Sequence, residues 1–192
     1  LPEASFAGQQ ESYLNIIGDA NVVMKVRECW ASLFGARSIF YRVQKKFDHF
    51  KVGIAVPVQK MIQSEVSGVM FTVDPISNDK NKLVIEAVWG LGDYIVQGVV
   101  TPDHFEVDKR ETKIVNKVIA HQEVMEVRNK QGVKEVKVPA KLQKLQKISD
   151  AHVLELAKIG AKIHQHISFL KTLNGLSRVV NSTSSNPAPL QH

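Results

Sequence analysis

Residues 54–75 read Ile54-Ala55-Val56-Pro57-Val58-Gln59-Lys60-Met61-Ile62-Gln63-Ser64-Glu65-Val66-Ser67-Gly68-Val69-Met70-Phe71-Thr72-Val73-Asp74-Pro75. Two apolar, β-rich runs, 54–62 and 68–73, flank a short polar turn at Gln63-Ser64-Glu65. Both lengths suit strands, and the pattern predicts an antiparallel hairpin with one buried face. Pro57 puts the first strand at an edge or a bulge, because proline has no ladder N–H to donate. Ser67-Gly68 marks a bulge or a close backbone approach where the second strand begins.

The frame around this stretch is one domain, or one large lobe, of 192 residues with an apolar fraction of 44%, enough for a sizeable core. The formal charge is +6, from 25 Lys and Arg against 19 Asp and Glu. That balance suits anionic ligands such as nucleotides, and equally a solvated surface. No basic run is interleaved with aromatics as a nucleic-acid face requires, so nucleic acid is not an expected partner. Cys29, the single cysteine, excludes an internal disulfide and fits a reducing compartment; in its apolar helical setting it reads as a buried structural thiol. With no signal peptide and no apolar run of membrane length, the expected location is cytoplasmic.

The wording of the opening stretch is more specific than its pattern. Gln59-Lys60-Met61-Ile62, followed by Ser67-Gly68-Val69-Met70-Phe71-Thr72, resembles the nucleotide-binding domain of the phosphoenolpyruvate synthase and pyruvate phosphate dikinase family. The resemblance implies an α+β, ATP-grasp-like lobe, with a helical N-terminal segment packed on a mostly antiparallel sheet. It makes Gln59, Lys60, Met61 and Ile62 the hinge that lines adenine. Backbone N–H and C=O groups side by side can read the base edge, and a thioether packs well on an aromatic face.

Upstream, Ala4-Ser5-Phe6-Ala7-Gly8-Gln9-Gln10-Glu11-Ser12 is by composition a surface loop before the apolar residues 13–17. It also resembles a family loop that covers the triphosphate, which implies a close approach of Gly8 to the phosphates and a hydrogen bond from the Ser12 hydroxyl. It is not a Walker A loop, since no Gly-Lys-Ser or Gly-Lys-Thr follows. Asp19 to Phe47 is predicted helical, with Asp19 as N-cap, Val22, Val23, Val26, Trp30, Leu33 and Phe34 at helical spacing, and a break at Gly35. Arg37 and Arg42 lie in an arginine-rich segment similar to the family's. Each is either a solvated or acid-paired helix residue or a phosphate ligand, and Arg37 is the better candidate ligand.

Downstream, Lys82–Val88 reads as a strand, and Trp89-Gly90-Leu91-Gly92 as either a tight turn or a phosphate cradle at a helix N-terminus. The phrase resembles the family's Ile-Glu-Ala-x-Trp-Gly-Leu-Gly-Glu, with Glu86, Gln97 and Asp103 at matching polar positions. For these three, holding the loop and binding ligand stand as equal readings. Residues 104–138 alternate as several antiparallel strands with lysine-rich outer faces, and Arg128–Gly132 forms a turn. Ser149 caps a last helix whose stripe is Val153, Leu156, Ala157, Gly160 and Ile163. His152, His164 and His166 lack carboxylate or cysteine partners and read as surface histidines.

The resemblance runs from Leu1 to about His166, and residues 1–168 are read as a partial ATP-binding domain. In the family, ATP phosphorylates a histidine on a mobile domain. Pyruvate then receives the phosphoryl group in another domain, leaving AMP and phosphate. Such transfer rests on positioning and on charge neutralisation by Mg2+ and cationic side chains. ATP and Mg2+ are therefore the implied ligands, pyruvate enters only through domains outside this chain, and the parent enzymes are often oligomeric. Rifampin phosphotransferase shares the nucleotide lobe. The family's lysine and arginine phosphate grips would precede Leu1, and no histidine here has the family's Thr-Cys-His context. The chain alone is thus expected to lack dikinase activity, and no residue in it is expected to be catalytic or to bind metal. The contrasting reading is a non-catalytic scaffold or degenerate nucleotide lobe. Finally, residues 169–192 change composition sharply and are read as a frame-shifted tail. Leu170–Gly175 can be encoded so that the adjacent frame spells the family's Pro-Gln-Asp-Ile-Glu-Trp, and Leu176–Ser185 so that it continues as Ala-Ile-Glu-Gly-Gly-Lys-Leu-Tyr-Ile-Val.

Overall fold

The computed structural model describes residues 10–62, 64–130, 132–166 and 178–179. It divides into two compact units, residues 1–61 with 128–133, and residues 62–127 with 134–192. Together they carry mixed helix and antiparallel sheet. No described helix is long and apolar enough to cross a membrane.

The first unit is helical where periodicity predicts it. Helix α1 spans Asp19–Ala31, a 3-10 turn covers Ser32–Phe34, and α2 spans Ala36–Gln44. The N-cap of α1 is Gly18 and not Asp19, which is the first helical residue. A carboxylate there still favours the helix through the positive end of the helix dipole. The buried face is narrower than the apolar pattern suggests. Cys29 and Leu33 are buried, whereas Val23, Trp30, Phe34, Phe40 and Val43 remain exposed. Burial is the main cause holding the Cys29 thiol above its ordinary value, which disfavours the thiolate. Asn15, buried in a left-handed conformation, donates through Nδ2 to the carbonyls of Asn129 (2.8 Å) and Gly132 (2.5 Å) and accepts from Arg128 Nε at 3.0 Å.

The second unit is built on a sheet of order β4-β3-β2-β1-β7, antiparallel throughout. The strands are β1 (Val66–Phe71), β2 (Lys82–Trp89), β3 (Asp103–Asp108), β4 (Lys113–Val118) and the short β7 (Arg178–Val179). A four-residue helix, α3 (Asp93–Val96), follows β2; β5 (Val124–Asn129) and β6 (Gly132–Lys137) make a separate two-stranded ribbon. The period-2 rule is clearest in β3, where Asp103, Phe105 and Val107 are buried and His104, Glu106 and Asp108 are less so. On the outer face Lys82 pairs with Glu106 at 2.7 Å.

The run 54–62 corrects the predicted hairpin. It contains no strand, and β1 pairs with β2 and β7 instead. Ser64 Oγ and Ser67 Oγ stand 2.9 Å apart where β1 begins. Pro57 removes one ladder donor from the upstream run. The expected close approach at Gly68 is present, since a Cβ there would overlap the Glu86 carbonyl. The irregularity in register falls elsewhere, between Glu106 and Val107.

Helix α4 (Asp150–His166) crosses β2, β3 and β4, capped by Ser149 as predicted, with His152 N donating to Ser149 Oγ at 3.3 Å. Its stripe of Val153, Ala157 and Gly160 meets Met70, Leu83, Ile85, Phe105 and Val107 in the core. Each large apolar side chain fully buried there contributes about 1.5–3 kcal/mol. His152 and His166 are exposed and His164 is half-buried. The tail assignment at 169–192 lies outside the described residues except at Arg178 and Val179, which pair with Met70 and Val69.

Candidate nucleotide-binding site

The stretch 54–62 is an extended segment outside regular secondary structure. Its backbone makes no hydrogen bond with another described residue. Such groups need water or a ligand, because an unpaired N–H or C=O is costly once covered. Gln59 and Lys60 are exposed, Met61 is half-buried and Ile62 is 44% exposed. A strip of donors and acceptors without partners among the described residues, beside a thioether, is chemically suited to a flat heteroaromatic ligand.

Ser12 is exposed. Its neighbour Glu11 is tied to the end of α1, donating from N to Ser32 Oγ at 3.3 Å and accepting at its carbonyl from Cys29 Sγ at 3.5 Å. Gly8 lies outside the described residues. Arg37 is exposed in the first turn of α2. Ser12, Arg37, Gln59, Lys60 and Met61 belong to the first unit, and Ile62 opens the second.

Several residues read from the sequence as possible ligands are committed to the protein itself. Arg42 is 1% exposed; its Nε donates to His49 Nδ1 at 2.9 Å, its Nη2 to the Leu33 carbonyl, and its guanidinium lies 5.5 Å from the Phe34 ring centroid. It is a packing residue and not a phosphate ligand. Asp103 is fully buried and accepts from Ala120 N at 2.9 Å, Lys147 N at 2.8 Å and Lys147 Nζ at 2.8 Å. Gln97 donates to Asp93 Oδ2 at 2.6 Å, and Glu86 stands 3.4 Å from His104 Nδ1.

The glycine turn follows its plainer reading. Gly90 N donates to the Glu65 carbonyl and Leu91 N to the Glu126 carbonyl, both at 2.8 Å. Two amides that a phosphate cradle would need are therefore already satisfied. Gly90 has φ +85°, and a Cβ on it would overlap the Glu126 carbonyl. This turn is a backbone-to-backbone seam.

Two side chains that carry local order escaped the sequence reading. Asn15 closes the first unit through partners more than a hundred positions away. Lys109 donates to the carbonyls of Thr72 and Lys80, holding the loop after β1, and burial pushes its amine below the ordinary lysine value. Only the fold brings these partners together.

Residues 1–172 match the family described as pyruvate phosphate dikinase, AMP/ATP-binding domain. The chain is 53% identical over 167 residues to a probable phosphoenolpyruvate synthase of Methanocaldococcus jannaschii, covering 86% of this chain and 14% of that protein. It is 50% identical over 174 residues to the phosphoenolpyruvate synthase of Pyrococcus furiosus, covering 86% and 21% respectively. With the rifampicin phosphotransferase of Bacillus cereus it shares 44% identity over 167 residues, covering 86% and 19%. The chain thus spans about a fifth of these relatives or less. With a match that runs from residue 1 to residue 172, the chain belongs to the family of the pyruvate phosphate dikinase AMP/ATP-binding domain.

Proposed function

We propose that this chain supplies part of the ATP site of a phosphoenolpyruvate synthase, the enzyme that converts ATP, pyruvate and water to phosphoenolpyruvate, AMP and phosphate. The observation that carries the proposal is the backbone of 54–62, without a hydrogen bond to another described residue, within a family match that spans residues 1–172. In this reading the lobe is ATP-grasp-like. Gln59 to Ile62 present backbone groups to the adenine edge, and the Met61 thioether lies on the ring. Gly8 lets the loop approach the triphosphate, Ser12 donates to a phosphate oxygen, and Arg37 offsets phosphate charge. No group of three or more His, Cys, Asp or Glu side chains suited to a metal stands together among the described residues. Mg2+ would neutralise charge on the nucleotide phosphates. Pyruvate and the phosphorylated histidine belong to stretches of the longer relatives that this chain does not span, and the working compartment is the cytoplasm.

The test is binding of a fluorescent ATP analogue to the 192-residue chain, with and without Mg2+. Binding should be weak, tighter with Mg2+, and abolished by Met61→Glu, which sets a carboxylate against the base. Unchanged affinity in that variant removes the hinge assignment. Pyruvate-dependent AMP formation by this chain alone would overturn the division of labour.

A further inference from the structure

Just beyond Ile62 the chain becomes fixed. Ser64 is 4% exposed, and its Oγ stands 2.9 Å from Ser67 Oγ. The Glu65 carbonyl accepts from Gly90 N at 2.8 Å, and β1 starts at the next residue, Val66. Upstream, the backbone of 54–62 makes no hydrogen bond with another described residue. The segment 59–62 therefore hangs from the Glu65 carbonyl, and its downstream end lies where the Gly90 amide puts it. Ile62, Glu65, Trp89, Gly90 and Gln122 all belong to the second unit.

The Gly90 amide is itself held through Trp89. Strand β2 runs to Trp89, but its pairing with β3 stops at Ala87, opposite Asp103. Successive backbone groups of an antiparallel strand point to alternate edges. Gly90 N turns towards Glu65, so the N–H and C=O of Trp89 face the edge that β3 no longer covers. The Gln122 carboxamide fills that place. Its Oε1 accepts from Trp89 N at 2.8 Å, and its Nε2 donates to the carbonyls of Trp89 at 3.0 Å and Val124 at 2.9 Å. One buried side chain, 1% exposed, thus completes a rung of the sheet. Its own backbone is pinned, since Gln122 N donates to the Gln143 carbonyl at 2.9 Å and Ala120 N to Asp103 Oδ1 at 2.9 Å. An apolar side chain of this size would fill the space and leave both Trp89 groups unpaired.

We propose that Gln122 is a positioning residue for the nucleotide hinge. Through Trp89 and Gly90 it fixes the Glu65 carbonyl, and so the place at which Met61 and Ile62 meet a base. This role rests on the reading of 59–62 as the adenine hinge, whereas the chain of contacts from Gln122 to Glu65 stands without it.

The test sets hydrogen exchange beside binding of the fluorescent ATP analogue, both on the 192-residue chain. In Gln122→Leu the Gly90 amide should lose far more protection than the Val153 amide, which is bonded to the Ser149 carbonyl in α4. A merely structural role would lower both alike. The analogue should bind this variant at least about threefold more weakly than the parent. Gln122→Glu keeps the shape, and it carries the test if Gln122→Leu does not fold. Its carboxylate would face the two carbonyls without a proton to donate, and protonation returns one donor. Its affinity relative to the parent should therefore recover as pH falls from about 8 to about 5. Equal loss of protection at Gly90 and Val153, or a pH-independent ratio for Gln122→Glu, overturns the proposal. So does parental affinity in Gln122→Leu while Met61→Glu abolishes binding; that result leaves the hinge reading intact. A parent that binds no analogue, or Met61→Glu that binds like the parent, defeats the hinge reading and the positioning role with it.

Discussion

Asp103 and Lys147 meet at 2.8 Å with neither side chain exposed. The lysine also donates to the Ala120 carbonyl at 2.5 Å, so one buried charge pair fastens the start of β3 to two separate connections. Removing one partner leaves the other charged and enclosed. Asp103→Ala should therefore cost about 3–5 kcal/mol, and Asp103→Ala with Lys147→Met should recover part of that loss. Urea denaturation measures both. A single variant as stable as the parent would show that the pair holds nothing.

Gly68 supports a second expectation. Its missing side chain lets β1 lie directly against the Glu86 carbonyl of β2. Gly68→Ala forces the two strands apart and should destabilise the chain by roughly 1–3 kcal/mol. Gly53→Ala is the matched control, since a Cβ there meets nothing within 4 Å. Equal melting temperatures for the two variants would contradict the seam.

The pair Lys82–Glu106 sets an acid limb. The hydrogen bond from Lys82, and then that from Asn116, hold the Glu106 carboxyl below its ordinary 4.5. A carboxylate with a depressed folded pKa contributes stability above its unfolded pKa and loses it as pH falls through the folded one. The loss therefore lies below about pH 4.5. Lys82→Met should flatten thermal stability across that acid window, and a slope equal to the parent's would refute the assignment.

The legible parts of the molecule were those fixed by near neighbours. Residues 82–88 read as a strand, alternation marked β3 to β6, and the Ser149 cap marked α4. The same logic misread 54–62, where apolar and β-branched residues occur without a strand partner. In α1 the apolar spacing located the helix but included Val23 and Trp30, which stay exposed. The glycine turn looked able to bind phosphate until the fold supplied the carbonyls of Glu65 and Glu126 for its amides. The hinge rests on the family resemblance. Its distinguishing physical property, a backbone without partners among the described residues, depends on what surrounds the segment and not on its own residues.

The tail offers a test in nucleic acid. The family match ends at residue 172, close to the change in composition. The shifted frame proposed above runs further than Ser185. Ser185 to Pro189 can be encoded so that it continues as Gln-Ser-Arg-Pro. The first two bases of each tail codon fix the last two of each shifted codon, leaving little room for chance. We propose a frame-shifted end, and expect the coding DNA to read Pro-Gln-Asp-Ile-Glu-Trp and then Gln-Ser-Arg-Pro in that frame. Any other reading there ends the proposal. Restoring the frame should raise thermal stability.

Asn15 has a consequence for the order in which the chain can assemble. It is completed by Arg128, Asn129 and Gly132, so the first unit is discontinuous along the polypeptide. During synthesis from the N-terminus, α1 and α2 emerge long before the residues that satisfy this buried amide. The closure spans a loop whose entropic cost must be met before its contacts form. Residues 1–61 expressed alone would present an asparagine that the remainder of the chain was meant to seal, and cutting after Met61 would separate a helical piece from its own last segment.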